Sequence, residues 1–482
     1  MDSQGLKLLT EGTEKALSAL REKGRVAFAS TSASVTRVTT FSLSVLSAFS
    51  VLSVTLLYSP AASAQALPYE AKGKHLGVVN CANSLCHGSV STWKDSHVLQ
   101  TEYVTWSRVD KHHTRALPVL QEERSQRIAR NLGLKEPAHE ARICLDCHAH
   151  NVPPQQRGER FKPSDGVSCE ACHGPAEGWI QAHVAPGATH ADNVKRGLYP
   201  TSDPVALARL CLSCHLGNKD KFVTHRMMGA GHPRMSFELD TFTQIGPAHF
   251  RIDADWQKRK GGWDGVRAWA IGQAVASQQL LELLRGPRGR DGLFPELVLF
   301  DCHSCHHPMA DKRNTAARTG AGGGFVRLND SGLLMLRQIA RRVAPNDAQA
   351  FAQQVDRLHK AVASGNDAIA QAGAAEKMIE SMIPRIGAYR FTGEDVRAML
   401  NGLIDDGLSG QYADYQSAEQ AVMAMQSVAE FMGRQKLLRT PPLRPTMRRL
   451  LATVQHDEKY QPVEFQKALR EFRASVEAGA SK

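Results

Sequence analysis

Ten cysteines fall into five pairs: Cys81/Cys86, Cys144/Cys147, Cys169/Cys172, Cys211/Cys214 and Cys302/Cys305. A histidine follows each pair at once: His87, His148, His173, His215 and His306. A thiol pair can hold zinc, close a redox disulfide or tether haem. Structural zinc takes two such hooks per ion, or one hook and a separated histidine pair. Five hooks pair badly for that, and neither zinc nor a disulfide demands a histidine behind every second cysteine. Cys-x-x-Cys-His is the attachment signal of c-type haem. Two thiols add across the two vinyl groups of one porphyrin, and the next residue turns its imidazole to the iron as proximal ligand. The pattern therefore predicts five covalently attached haem c groups. The first motif has four residues between its cysteines, Ala-Asn-Ser-Leu. It reaches both vinyl groups if that spacer bulges.

The remaining composition fits this expectation. The chain has 482 residues and a formal charge of +11, which in another context would point to nucleic acid. Residues 1–64 carry six basic and four acidic side chains, leaving +9 for the rest. Ten haem propionates would roughly neutralise that excess, so no nucleic-acid partner is required. Residues 41–57, FSLSVLSAFSVLSVTLL, form an apolar run preceded by Arg37 and followed by Ala62-Ser63-Ala64. That is the order of a secretory signal, behind a long leading segment. A periplasmic or outer-surface protein is expected, meeting a membrane only through this segment if it stays uncleaved.

Two regions follow, a haem domain over 65–315 and a helical domain over 325–482, joined by a glycine-rich linker at 316–324. Five porphyrins leave the first region too little chain for five ordinary cores. Short helices and long loops wrapped on porphyrin faces are expected, so the fold class is mostly α. One longer helix is predicted over 265–284, its apolar residues toward one side and Gly286-Pro287 as its stop. The second region has no cysteine. Phe351, Val355, Leu358 and Val362 recur at helical spacing. Ser331, Thr392 and Ser417 precede helix-like runs, the last two with Asp395 and Gln420 placed as in capping boxes. Met378, Met382, Met399, Met423, Met425 and Met432 sit on apolar stripes and are expected in the core. The region caps the haem domain or docks a partner.

Fifteen of the twenty histidines lie outside the proximal positions, thirteen of them in the haem region. There are more candidates than irons, so counting does not demand an open coordination site. The stretches GVSCEACHGPAEGWIQAH, CLSCHLGNKDKFVTHRMMGAGHPRMSFEL and FDCHSCHHPM resemble multihaem cytochromes c related to the cytochrome c-554 type. WSRVDKHHTRAL, just before the second haem motif, resembles the Trp…Asp-x-His…Ala element of that group. The resemblance spans roughly residues 76–310. It implies close haem pairs and His183 as distal ligand to a different haem, and it nominates His225 and His232. From DKHH it implies His112 or His113, with His113 favoured by its spacing to Ala116. His97 or His249 would supply a fifth distal ligand. His75, His139 and His190 are read as surface or supporting groups, and His150, His303 and His307 as too close to their own motifs to ligate the same iron, with His303 still able to reach a neighbouring porphyrin.

Electron transfer between redox partner proteins is the expected role, with mostly bis-histidine irons and no single catalytic residue. The alternative is an oxidoreductase acting on a small nitrogen or sulfur species at one open haem. It would need acid–base groups such as Tyr103, Asp240 or Asp301.

Overall fold

The computed structural model describes residues 65–94, 96, 98–254, 256, 258, 263–290, 296–306 and 327–480. The expected signal at 41–57, the linker at 316–324, His97 and His307 lie outside the described residues.

Among the described residues the chain is mostly α, as expected, with seventeen α-helices and only isolated β-bridges. The first nine helices are short: α1 Glu102–Arg108, α2 Lys111–Thr114, α3 Glu123–Leu132, α4 Arg142–His148, α5 Cys169–His173, α6 His190–Lys195, α7 Pro204–His215, α8 His225–Gly229 and α9 Leu239–Ile245. Loops and 3-10 turns join them. The remaining helices are longer: α10 Gly265–Arg285, α11 Ser331–Val343, α12 Pro345–Ser364, α13 Ala368–Ala388, α14 Gly393–Leu408, α15 Tyr415–Arg434, α16 Leu443–Thr453 and α17 Pro462–Gly479.

Local signals explain the ends of several helices. Asp203 caps α7 by accepting from the amides of Val205 and Ala206, and Pro204 takes the first helical position, where no amide is needed. Thr392 and Asp395 form the expected capping box at the start of α14. The other two expected caps differ. Ser331 is the first residue of α11, with Asp330 before it. The start of α15 lies at Tyr415, because Asp414 accepts from the Ser417 amide at 2.8 Å and caps three residues earlier than the pattern implied.

The predicted long helix is α10, but it is not one-sided. Sixteen of its 21 residues are buried, the mark of a helix covered on nearly all sides. It packs against α7 and α9 before it and against α11, α13 and α15 after it. One continuous apolar cluster runs from Ala208 and Leu212 through Trp269, Ile271 and Leu281 to Phe351, Met425 and Phe472. The C-terminal methionines join it: Met382, Met399, Met425 and Met432 are each at most 2 % exposed. By contrast, the clusters around α3 hold only a handful of side chains.

Because the core is shared, visible haem absorbance and far-ultraviolet circular dichroism should report one unfolding transition in urea. Leu281→Ala, at a fully buried position, should move both midpoints down together, by roughly 2–5 kcal/mol of stability. Two separated transitions would contradict a shared core.

Candidate haem sites

The five motifs sit at chain reversals, each held by nearby backbone hydrogen bonds. In α4 and α5 the motif is itself a helical turn, which puts both cysteines on one face. In α7 it is the last turn of the helix. The fifth is a 3-10 turn over Cys302–Ser304, where the His306 amide reaches the Cys302 carbonyl at 2.8 Å. The first motif closes in the same way despite its longer spacer: the His87 amide donates to the Cys81 carbonyl at 3.2 Å. Asn83 accepts from Leu85 and, through its carbonyl, from Cys86 and Gly88. The two extra residues are thus taken up in a local turn, and His87 keeps its relation to Cys81.

Cys305 differs from the other motif cysteines. It is exposed, whereas the other nine cysteines, its partner Cys302 among them, are half-buried. The reason is local. The fifth motif makes only a 3-10 turn, and Cys305 ends it with φ −122° and ψ −40°, outside helical geometry. Cys302 and Cys305 therefore lack the common helical face that the pairs in α4 and α5 possess. Cys302 is held from the C-terminal side, where Gln416 of α15 approaches its Sγ at 3.8 Å, while the chain around Cys305 leaves its thiol open to solvent.

The thiols of different motifs adjoin. Cys81 lies beside Cys169, and Cys147 beside Cys214. The order of contact therefore joins the first motif to the third and the second to the fourth.

Four motif histidines each face another histidine. Ring centroids are 6.3 Å apart for His87 and His183, 6.2 Å for His112 and His215, 6.4 Å for His148 and His232, and 6.2 Å for His225 and His306. With metal–imidazole bonds of about 2 Å, two rings on opposite sides of one iron hold their centroids roughly 6 Å apart. The residues therefore fit haem iron in each of these four places. His183, His225 and His232 all lie opposite a motif histidine. His173 ends α5, next to a glycine whose φ of 81° suits the reversal.

Two of the expected distal residues take other places. His112, rather than the favoured His113, faces His215. Asp110 caps α2 and accepts from both the amide and Nδ1 of His112, at 2.9 and 3.0 Å. That fixes the ring of His112, and a neighbouring helical residue points about 100° away. His113 accordingly packs on Trp106 at 3.9 Å, with Nδ1 at 3.0 Å from the Asp165 carbonyl. His249 lies behind His112: its Nε2 bonds the second oxygen of Asp110 at 2.8 Å. The acid–base candidates are also committed. Asp240 is fully buried and accepts from Trp263 and Gln244. Asp301 is ion-paired with Arg327, which also holds Asp414 at 2.5 Å. Tyr103 lies beside Trp106.

Sequence reasoning missed the carboxylates that hold the motifs. Glu170, between the cysteines of the third motif, is 2 % exposed and accepts from Leu76, Gly77 and Ala176 at 2.7–2.8 Å. It fastens the segment leading to the first motif against the third. Gly77 has φ 96°, and a Cβ there would meet the Arg160 carbonyl oxygen at 2.3 Å, so this crossing requires glycine. Asp110 stands where an N-cap would two residues before a histidine, which is a readable signal. Nothing in the sequence marks Glu170.

Residues 80–174 match the family described as cytochrome c554 and c-prime. The segment contains the first three motifs. The chain is related to the cytochrome c-554 family. It is a haem-based electron-transfer cytochrome with covalently bound haem c. No curated protein and no solved structure matches it.

Replacing Glu170 with alanine leaves three amide donors without their acceptor, each worth about 1–3 kcal/mol when buried. Glu170→Ala should lose several kcal/mol of stability and yield a fraction lacking one haem by intact mass. Full haem loading at wild-type stability would contradict this role.

A second consequence concerns pH. Glu238 caps α9 through the amides of Asp240 and Thr241, and Phe237 and Phe242 flank His215 at 4.7 and 6.2 Å. Burial pushes Glu238 up to about 7, against those hydrogen bonds. With its folded pKa above the unfolded one, the stability it contributes is present in full below the unfolded pKa and is lost as pH rises through about 7. Glu238→Gln keeps an acceptor but cannot ionise. Between pH 5 and pH 8 it should lose less stability than wild type, by on the order of 2–3 kcal/mol. The comparison is read from urea midpoints at the two pH values. Parallel curves would show that Glu238 does not titrate in this range.

Proposed function

We propose that the chain is an exported pentahaem cytochrome c that carries electrons between redox partner proteins through closely packed, mostly bis-histidine haems. Cys81/Cys86, Cys144/Cys147, Cys169/Cys172, Cys211/Cys214 and Cys302/Cys305 hold the porphyrins, with His87, His148, His173, His215 and His306 as proximal ligands. Cys305 is exposed, and a fifth porphyrin attached there would have one edge near solvent. The single observation that carries the reading is the set of four histidine pairs at 6.2–6.4 Å. An iron with two imidazoles has no position open to a substrate, and bis-histidine ligation keeps its potential below that of histidine–methionine irons. Each haem contributes a one-electron couple; the chain contributes ligands, spacing and local charge.

The contacts between motifs support a route. Cys81 lies beside Cys169 and Cys147 beside Cys214, and Cys172 is close to Cys214. His225 and His232 stand at either end of one short segment and serve the fifth and second motifs. Electrons would pass among the motifs in the order first, third, fourth, second, fifth. The outermost haems are then the first and fifth, where donor and acceptor proteins would dock.

Intact mass of the mature protein should exceed the polypeptide by five haems. Low-temperature electron paramagnetic resonance should be dominated by low-spin ferric signals. The rings of His87 and His183 are 10° from parallel, whereas those of His112/His215 and His148/His232 cross at 87° and 80°. The first geometry gives a rhombic low-spin signal and the crossed pairs give strongly anisotropic ones. A mass without five haems would refute the haem count. A dominant high-spin signal altered by nitrite or hydroxylamine would replace the carrier with an enzyme.

A further inference from the structure

The four histidine pairs differ in what stands behind each ring. Nδ1 of His148 bonds the Ala116 carbonyl at 2.7 Å, and Nδ1 of His232 bonds that of Pro233 at 2.8 Å. His183 likewise uses the Ile180 carbonyl at 2.6 Å. His87 and His112 do not follow this pattern. Nδ1 of His87 meets Glu102 Oε2 at 3.0 Å, and Nδ1 of His112 meets Asp110 Oδ1 at 3.0 Å. One carboxylate thus backs the His87/His183 pair and another backs His112/His215, while His148/His232 has carbonyls on both sides.

Both carboxylates are fixed by further bonds. The other oxygen of Glu102 accepts from the amides of Leu99 and Gln100 at 3.1 and 3.3 Å. Asp110 accepts from the His112 amide and, on its other oxygen, from His249. Their side chains are 18 % and 9 % exposed, so water screens them poorly and their charge acts strongly over short distances.

A metal-bound imidazole that donates its other N–H to a carboxylate becomes a more basic ligand than one that donates to a carbonyl. A more basic ligand and a nearby negative charge both favour ferric over ferrous iron. We propose that Glu102 and Asp110 set haem potentials, holding the irons of His87/His183 and His112/His215 below that of His148/His232. In this scheme His249 tempers Asp110 by sharing its charge. The inference rests on the ligation proposed above and gives the chain a graded set of potentials rather than five equal ones.

The test uses the full-length haem-loaded protein with Glu102→Gln, Asp110→Asn and His249→Ala. Each is followed by spectroelectrochemistry, paramagnetic resonance and intact mass. Glu102→Gln should raise one centre, and Asp110→Asn a different one, by about tenfold in the reduction equilibrium, or ~59 mV for one electron. His249→Ala frees Asp110 to accept more strongly from His112. It should lower the centre that Asp110→Asn raises, and this effect should vanish in the double variant. Loaded variants whose potentials overlay wild type overturn the inference. So does a movement of His249→Ala in the same direction as Asp110→Asn, or a loss of haem or change of spin state in place of a potential shift. High-spin iron at these positions in the wild type would instead sink the ligation reading itself.

Discussion

An iron porphyrin bound through two thioethers and two imidazoles, as proposed above, needs ligands from distant parts of one chain, and the histidine pairs of this fold meet that requirement. Three of these four groups come from one place, because a Cys-x-x-Cys-His turn presents them together. The second imidazole must arrive from far away in sequence: His183 to His87, His112 to His215, His232 to His148, His225 to His306. The short helices and turns before α10 serve these crossings. His183 rides on a 3-10 turn, His112 on a single turn capped by Asp110, and His225 on the first residue of α8. None of these elements is long enough to be stable by itself, so their positions depend on what holds them to one another.

Buried carboxylates do much of that holding. Glu170 ties the approach to the first motif against the third. At the other end, Asp301 caps the fifth motif, accepts from the His303 amide and Ser304 hydroxyl, and pairs with Arg327. Arg327 also pairs with Asp414, the cap of α15. The fifth motif is thereby anchored to the C-terminal helices by charges nearly closed off from water. A buried pair of this kind is weak evidence for stability but destabilising to break, because the remaining charge is stranded. The ion pairs therefore fix where the fifth motif sits, whatever their net contribution to folding.

The five motifs stand out in the sequence because haem attachment dictates both residue type and spacing, and the pattern repeats. That chemistry says nothing of how enclosed each thiol is, so the exposure of Cys305 beside a half-buried Cys302 was not legible. His183, His225 and His232 were legible only through the family resemblance, and the structure brings all three opposite motif histidines. The choice between His112 and His113 failed for a local reason. Spacing to Ala116 says nothing about which ring Asp110 will hold, and one helical step changes a side chain's direction by about 100°. His249 was misplaced because its partner, Asp110, lies far from it in sequence. The same holds for α10, whose second apolar side only makes sense beside α13 and α15. Periodicity reads one element at a time, and these outcomes are decided by pairs of elements.

Apolar burial is divided unevenly along the chain. From α7 onward the chain builds one large apolar cluster from its own side chains. Before α7 the described clusters around Leu120, Ile128 and Ala129 are small, while Val79, Leu85 and Val90 near the first motif are at least half exposed. A segment with so little apolar burial cannot offset the entropy of ordering its backbone. Covalently bound haem supplies the missing surface, since each porphyrin brings two broad apolar faces. The order of dependence follows from this: the C-terminal helices are a protein core in the ordinary sense, while the N-terminal haem segment takes its core from its cofactors. The crossing histidines face each other across the two, His215 on the core side and His112 on the other, and an iron held between them would fasten the cofactor-dependent part to the self-sufficient one.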